Sequence, residues 1–377
     1  MGSVEPAQHE QHDPTAWSNA PLQVAYTVEQ CWHPTPGGTA IAALRIAREL
    51  QDRPNDVELL LVAGKHVAPP LPEFRPRGSV AMLPLARPWL YEAWVRLNWP
   101  KVESVTGPVE VAHATGLIPC ATSVPLVVTI HDVAFLHQPD QFSRQGARIM
   151  TKSLEVIRRR ADRVICSSQA TIDDCLAVGF DASVLQHVPL GVDVIDVSDD
   201  DIERVRRRYR LPEEFVLFVG TREPRKNLSR LAAAVSTRET RHPLVVVGAD
   251  GWGELGVIDH GDTVFLGFVP DADLAPLYAA AAVFAYPSER EGFGLPVAEA
   301  MAQGAAVVTS RGTSTEEVAG GAAVLVDPFD VDDIARGIDE AFDRRTELGQ
   351  QGRARATQLS WSAAAASTLE IYRELAS

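Results

Sequence analysis

The sequence has few cysteines, few basic residues and no long apolar run. Its four cysteines, Cys31, Cys120, Cys166 and Cys175, form no C-x-x-C pair, which excludes a zinc site of the usual spacing and favours a reducing, cytoplasmic location. No apolar run reaches the roughly 18–20 residues that a membrane span needs. The 35 basic side chains are outnumbered by 50 acidic ones, and the resulting net charge of −15 argues against nucleic acid as a partner.

The length and the pattern of apolar runs predict two α/β domains. A chain of 377 residues exceeds the roughly 250–300 residues at which a single hydrophobic core stops growing. Short apolar, β-branched runs alternate with helical patterns, which is typical of parallel sheets covered on both faces. We predict a flexible leader over 1–20, an N-terminal Rossmann-like domain over 21–192, a C-terminal one over 193–360, and a final helix over 361–377.

The predicted strands form one group in each half of the chain. They are 23–28, 57–62, 109–112, 125–130, 163–166 and 183–188 in the first half, and 215–219, 243–247, 263–266, 282–285, 305–309 and 322–325 in the second. The main predicted helices are 39–51, 146–160, 227–236, 332–342 and 361–375. Doubly wound sheets bind ligands at the carboxyl ends of their strands, so candidate site residues are those that directly follow a strand.

The segment after the predicted strand 282–285 has the features of an anion site. Gly292 and Gly294 permit backbone angles and a close ligand approach that a Cβ would hinder, and Pro296 suits the first turn of a helix. We therefore expect a helix to begin near Gly294, with amides and a positive dipole end directed into the cleft between the domains. Such a helix start favours a diphosphate.

Two glutamates, Glu291 and Glu299, lie on either side of this expected helix start. Carboxylates accept hydrogen bonds from pairs of hydroxyl groups, so a sugar and a ribose are natural partners. Taken alone, Glu291 is more simply explained as a solvated acid on a loop, and Glu299 as an acid in the first turn of a helix. The complete string after a strand favours a ligand site.

A second cluster of charges follows the predicted strand 215–219. Arg222 and Lys226 are four residues apart and can converge on one dianion, since arginine supplies a fork of donors and lysine a point charge. We expect Arg225 to face outward. The alternative is a charged helix start that pairs with Glu223.

Two weaker candidates lie in the first half of the chain. Gly37 and Gly38 open a helix, where a phosphate or an acceptor can approach the backbone, although a plain turn explains the pair equally well. The pair does not fit G-x-G-x-x-G, which excludes a dinucleotide site of that type. His131 follows the predicted strand 125–130 and can hydrogen-bond a sugar hydroxyl or move a proton, although a lone histidine is more often structural.

The string from Glu291 to Glu299, together with the run from Glu317 to Pro328, resembles glycosyltransferase family 4, whose retaining enzymes have the GT-B fold of two Rossmann-like domains facing a cleft. The hallmark of that family is two glutamates with seven residues between them. The resemblance extends over most of the chain from about residue 22. It implies that the final helix crosses back onto the N-terminal domain.

The resemblance assigns roles to the candidates. It implies that Glu291 binds the hydroxyls of the donor sugar and supports charge at the anomeric carbon, and that Glu299 binds the ribose. It implies that Arg222 and Lys226 hold the diphosphate, and it places His131 beside the transferred sugar. The further donor-binding residues that it implies are Gly37, Gly38, Gly292, Phe293, Gly294, Leu295 and, near the base, Phe268 and Val269.

The implied activity is the transfer of a hexosyl unit from a nucleotide sugar to an acceptor hydroxyl with retention, in polysaccharide or glycoconjugate synthesis. GDP-mannose or a dTDP-deoxyhexose is the expected donor, with UDP-sugars open, and the acceptor is a carbohydrate, a lipid-linked molecule or a small molecule. Two alternatives stay open: a nucleotide-sugar epimerase of the same fold, and a non-catalytic sugar-nucleotide binding protein. A basic helix and several tryptophans over 88–100 allow a weak contact with the inner face of a membrane, which the overall acidity opposes.

We expect neither a metal nor a cofactor. The D-x-D patterns at Asp271–Asp273 and Asp330–Asp332 mimic a metal motif, but each lies at a predicted helix start, where aspartate is a common cap. Ser314 and Glu317 form an S-x-x-E pattern, which predicts a capping box. With two cations and a helix start at the leaving group, the chemistry requires no divalent ion.

Overall fold

The computed structural model describes residues 20–34, 36–139, 142–248 and 262–377. The predicted leader lies outside these residues, except for residue 20. In the described part of the first half, the strands are β1 (Leu22–Thr27), β2 (Val57–Ala63), β3 (Val80–Met82), β4 (Val111–Ala114), β5 (Leu126–Ile130), β6 (Arg163–Cys166) and β7 (Leu185–His187). The helices are α1 (Gly37–Gln51), α2 (Trp89–Leu97), α3 (Glu103–Thr106), α4 (Ala134–His137), α5 (Arg144–Arg160) and α6 (Gln169–Ala177).

The second half repeats this alternation of strands and helices. Its described strands are β8 (Val216–Val219), β9 (Leu244–Val247), β10 (Thr263–Gly267), β11 (Val283–Tyr286), β12 (Ala306–Ser310) and β13 (Val324–Val326). Its helices are α7 (Asp199–Tyr209), α8 (Leu228–Thr237), α9 (Asp271–Ala280), α10 (Leu295–Ala302), α11 (Ser314–Ala319), α12 (Val331–Asp343), α13 (Arg345–Ala356) and α14 (Trp361–Ala376).

The strands form two parallel sheets, as the alternation predicts. The order is β3-β2-β1-β4-β5-β6-β7 in the first sheet and β10-β9-β8-β11-β12-β13 in the second. The direction of winding reverses between β1 and β4 and again between β8 and β11. Loops that leave a sheet at such a switch point diverge and open a crevice for ligands. The predicted architecture of two doubly wound Rossmann-like domains, the GT-B fold, is confirmed.

Continuous apolar runs explain why the central strands were predictable. Every residue of β5, β8 and β9 is buried, as expected when helices cover both faces of a sheet. Each predicted strand is present, although β4, β7 and β13 begin two residues later than expected, at Val111, Leu185 and Val324. The sequence analysis missed β3, which is a short, partly exposed strand at the edge of the first sheet.

The last helix, α14, packs against α1 and against the first sheet. The hydroxyl of Tyr372 on α14 hydrogen-bonds Nδ1 of His113 on β4, and Nε2 of the same ring contacts the Thr129 hydroxyl at 2.8 Å. Burial lowers the pKa of His113 to about 3, with a smaller contribution from His131, so this ring is neutral at physiological pH. The contact joins the end of the chain to the interior of the first sheet.

Candidate active site

The loops after β8 and β11 lie side by side at the switch point of the second sheet. The amide of Glu289 donates to the carbonyl of Arg225 at 2.8 Å, and the Arg225 guanidinium donates to the carbonyl of Arg290 at 3.1 Å. These bonds cross from one loop to the other. They bring the two charged clusters that the sequence singled out into one place.

Glu291 is held between a cation and two hydroxyl groups. Its Oε2 lies 2.8 Å from Nη1 of Arg225, and its Oε1 accepts from the Tyr286 hydroxyl at 2.8 Å and the Ser288 hydroxyl at 3.0 Å. Burial opposes the charge on Glu291, but Arg225 and Lys226 outweigh it and hold the pKa of this carboxyl below its usual value. Glu291 is therefore an anion at neutral pH.

Arg225 does not face outward, so that prediction is wrong. Its side chain is only 17% exposed, and its Nε donates to Glu223 at 2.9 Å while Nη1 reaches Glu291. A 3-10 turn over Pro224–Lys226 directs these consecutive cations toward the interior of the site. Arg225 is the functional candidate that the sequence analysis missed. Its position next to Lys226 was the available signal, but the direction of its side chain depends on this turn.

Lys226 and Arg222 have different surroundings. Lys226 lies against Gly220 at the end of β8, where an added Cβ would be 3.0 Å from the Lys226 ammonium. Burial lowers the pKa of Lys226, while the charge of Glu291 raises it in part. The guanidinium carbon of Arg222 is 5.2 Å from the ring centre of Phe265, so Arg222 stacks on β10 in this structure.

The helix start predicted near Gly294 is present. Gly294 caps α10 with a φ of 107°, a conformation that residues other than glycine rarely adopt. A Cβ added to Gly294 would also lie 2.7 Å from Cγ2 of Thr315. A Cβ on Gly292 would lie 2.2 Å from the carbonyl oxygen of His131. The loop that carries Glu291 therefore touches the first sheet at His131, where only a glycine leaves room.

The start of α1 reaches the same region from the other sheet. A Cβ built on Gly38 would be 3.4 Å from Cδ1 of Leu295, the first residue of α10. Gly37 adopts a φ of 58° at the beginning of α1. Gly38 thus lies near the α10 start, an added Cβ on Gly37 would meet open space, and Phe293 is buried in the loop before α10.

Glu299 opens onto a cavity of about 810 Å³ that both halves of the chain line. Its Oε2 accepts from the Tyr278 hydroxyl at 2.8 Å. Burial raises the pKa of Glu299, the Tyr278 bond lowers it, and the charges of Asp271 and Asp193 raise it further. Other residues that line this cavity include Phe268, Val269 and Leu295, which the sequence analysis proposed, and Arg45 and Arg48 of α1.

His131 presents a ring nitrogen with no hydrogen-bond partner. Its Nε2 is buried without a partner, and the backbone of Thr115 lies near the ring. Burial lowers the pKa of His131, while Asp132 and the backbone of Thr115 raise it in part, so the ring is neutral at physiological pH. The unpartnered Nε2 is therefore available for a hydrogen bond with a hydroxyl group.

The structure confirms the predicted cap of α12 and revises that of α9. Asp330 caps α12 as predicted, by accepting from the amides of Asp332 and Asp333. Pro270, and not Asp271, occupies the cap of α9, and the buried Asp273 instead bonds three side chains of α7, those of Arg204, Arg208 and Tyr209. In the described ranges, no group of three or more His, Cys, Asp or Glu side chains is arranged to hold a metal ion.

The capping box predicted at Ser314 and Glu317 is also wrong. Thr313 is the cap residue of α11 and makes no side-chain cap bond. The Ser314 hydroxyl instead donates to the carbonyl of Glu291 at 2.7 Å. Glu317 bonds Nε2 of His187 at 2.9 Å, across the cleft. Both residues serve contacts between distant segments, which local spacing does not reveal.

Comparison with protein families and with known proteins finds matches over most of the chain. Residues 36–196 match the model of Glycosyltransferase Family 4, and residues 199–358 match that of Glycosyl transferases group 1. O-antigen chain mannosyltransferase B of Escherichia coli is 34% identical over 268 residues, which are 66% of this chain and 70% of that protein. MMP alpha-(1->4)-mannosyltransferase of Mycolicibacterium hassiacum is 30% identical over 71% of each chain.

Solved structures share the fold at low sequence identity. Alr3699/HepE of Anabaena, crystallised in complex with UDP and glucose, has a TM-score of 0.71 at 20% identity and covers 94% of this chain and 100% of its own. This similarity shows the two-domain fold alone.

Among the helices in the described ranges, none combines the length and the apolar character that crossing a membrane requires.

Proposed function

Because the chain belongs to glycosyltransferase family 4 and has the GT-B fold, we propose that it transfers a hexosyl unit from a nucleoside-diphosphate sugar to an acceptor hydroxyl with retention of the α configuration. We propose mannose as the sugar, because two relatives at 30–34% identity are named mannosyltransferases, and GDP as the leaving nucleotide. Residues 193–360 bind the donor and residues 21–192 bind the acceptor in this proposal. The acceptor is a growing glycan or a lipid-linked sugar at the inner membrane face.

One observation carries the proposal: cations and a helix start converge beside a buried carboxylate at the switch point. Lys226 and Arg225 come from the loop after β8, while Glu291 and the start of α10 come from the loop after β11. The departing diphosphate gains negative charge as the glycosidic bond breaks. Lys226 and the amides at the α10 start are fixed in advance to stabilise that charge, so we propose that no divalent metal takes part.

The surroundings of Glu291 favour a same-face displacement over a covalent intermediate. Arg225 occupies one oxygen of Glu291, and the Tyr286 and Ser288 hydroxyls occupy the other. A carboxylate bound in this way is a weak nucleophile, but its charge still stabilises an oxocarbenium-like sugar. The donor phosphate then helps to deprotonate the acceptor, and His131 Nε2 accepts a hydrogen bond from a sugar hydroxyl. A trapped glycosyl adduct on Glu291 would contradict this mechanism.

A thermal-shift panel of GDP, UDP, dTDP and ADP tests the proposed donor. A ligand that binds only the folded protein raises its melting temperature, and at a fixed concentration the rise grows with the logarithm of the affinity. We expect GDP to give the largest shift. If UDP or dTDP stabilises the protein most and GDP has no effect, the proposed nucleotide is wrong.

The substitution Glu299→Ala tests the ribose assignment. Loss of one charge-assisted hydrogen bond pair should weaken GDP binding about 10-fold by calorimetry, while turnover at saturating donor changes little. Glu370→Ala is the matched control, because Glu370 is an exposed acid on α14 whose ion pair joins Arg373 of the same helix. Equal GDP affinities in both variants would show that Glu299 does not bind the ribose.

A further inference from the structure

A polar face of α6 contacts the loop that carries Glu291. Ser168, which caps α6, and Thr171 and Asp174 within it are spaced three residues apart and therefore lie on one side of the helix. Helix α6 packs against β6 and β7 of the first sheet, whereas the loop follows β11 of the second sheet. This polar face thus spans the cleft between the two sheets.

The α6 polar face contacts the loop on both sides of Glu291, through a hydrogen bond and an ion pair. The Ser168 hydroxyl donates to the carbonyl of Gly292 at 2.7 Å. Oδ2 of Asp174 lies 2.6 Å from Nη1 of Arg290, and Oδ1 of Asp174 lies 3.0 Å from Nε2 of His137. The residues directly before and after Glu291 are therefore held from the opposite sheet.

The same face also fixes His131. The Thr171 hydroxyl donates to the His131 carbonyl at 3.0 Å, and that carbonyl lies against Gly292. Glu291 and His131 come from different sheets, and a displacement of one sheet relative to the other would separate them. One helix face that bonds both backbones sets their relative position.

We propose that the α6 polar face is a positioning element that assembles Glu291 and His131 into one site, with the Asp174–Arg290 ion pair as the contact that closes it. The inference rests on the proposed function, because it assumes that both residues act on the same sugar. None of the three α6 side chains needs to touch the reactants. Their effect passes through the loop backbone, and small errors in the placement of reacting groups lower rates steeply.

Removal of the Asp174 carboxylate tests the proposal, with GDP-mannose as the donor probe. Asp174→Ala should lower the rate of GDP release at saturating GDP-mannose about 10-fold or more, while the dissociation constant of GDP is unchanged. In the ligand-free protein, the amides of residues 289–293 should exchange with deuterium about 10-fold faster. Asp174 and Arg290 lie outside the hydrophobic cores of both sheets, and the melting temperature of the variant checks that it folds.

Two further variants separate positioning from general damage. The double variant Asp174→Arg with Arg290→Asp restores an ion pair of reversed polarity and should recover most of the lost turnover and protection. Arg336→Ala is the matched control, because it removes an arginine that pairs with Asp333 and Glu340 on α12. It should leave turnover and exchange at wild-type values.

Wild-type turnover and wild-type exchange in Asp174→Ala would overturn the inference, and so would a loss that the reversed pair does not recover. These results differ from a failure of the proposed function. A wild-type protein that releases no GDP from GDP-mannose contradicts the proposed donor, whereas the exchange of residues 289–293 still decides whether Asp174 holds the loop.

Discussion

Lys226→Ala is expected to lower turnover about 10²- to 10³-fold, the cost of losing one preorganised group that stabilises charge in a transition state. Lys226 is half-buried against Gly220 at the end of β8, and its ammonium group interacts electrostatically with Glu291. A bound diphosphate raises the pKa of Lys226 again, since an opposite charge favours the ammonium form. Steady-state release of nucleoside diphosphate at saturating donor measures the effect.

Two variants control this experiment. Lys226→Arg retains the positive charge but changes its shape, and it should recover part of the lost turnover. Lys101→Ala removes an exposed lysine that bonds Ser123, so it should behave as the wild type. Near-normal turnover in Lys226→Ala would remove Lys226 from the catalytic machinery.

Glu291→Gln is expected to lower turnover by a similar factor, about 10²-fold or more, because it keeps the shape of the side chain but removes the charge beside the anomeric carbon. Neutral glutamine can still bond Arg225, Tyr286 and Ser288, so the loop should keep its conformation. Melting temperature and GDP affinity are the checks on folding and on the donor site. Glu203→Gln, which changes an exposed glutamate on α7, is the control.

The pH profile of turnover gives a second readout for Glu291. The pKa of this carboxyl is lowered from its ordinary value of 4.5, so Glu291 stays charged at all higher pH values and is neutralised only below that value. The acid limb of the turnover profile that belongs to Glu291 should therefore lie below pH 4.5 and should be absent in Glu291→Gln. A limb above that value that the substitution abolishes would contradict the assignment.

The sequence predicted the sheets because their central strands are continuous apolar runs between polar loops. It predicted that Glu291, Lys226, Gly292 and His131 follow such strands, and the structure brings the loops that carry them together. The edge strand β3 escaped prediction, since three half-exposed residues carry no pattern that distinguishes them from a loop.

Local sequence patterns did not predict the directions of side chains or the contacts between the two halves of the chain. Arg222 and Arg225 are equally good cations by composition, and only the 3-10 turn directs Arg225 onto Glu291. Ser314 and Glu317 fit a capping box by spacing, yet their partners are Glu291 and His187, on other segments of the chain. A partner far away in sequence outweighs a local preference in each of these cases.

We propose that the loops after β8 and β11 jointly bind a diphosphate, and a crystal structure of the complex with GDP tests this binding most directly. We expect the phosphate oxygens to lie at hydrogen-bond distance, about 3 Å, from the Lys226 ammonium and from the backbone amide of Leu295, and the ribose hydroxyls to bond Glu299. A diphosphate bound elsewhere, with Lys226 and the α10 start untouched, would contradict it.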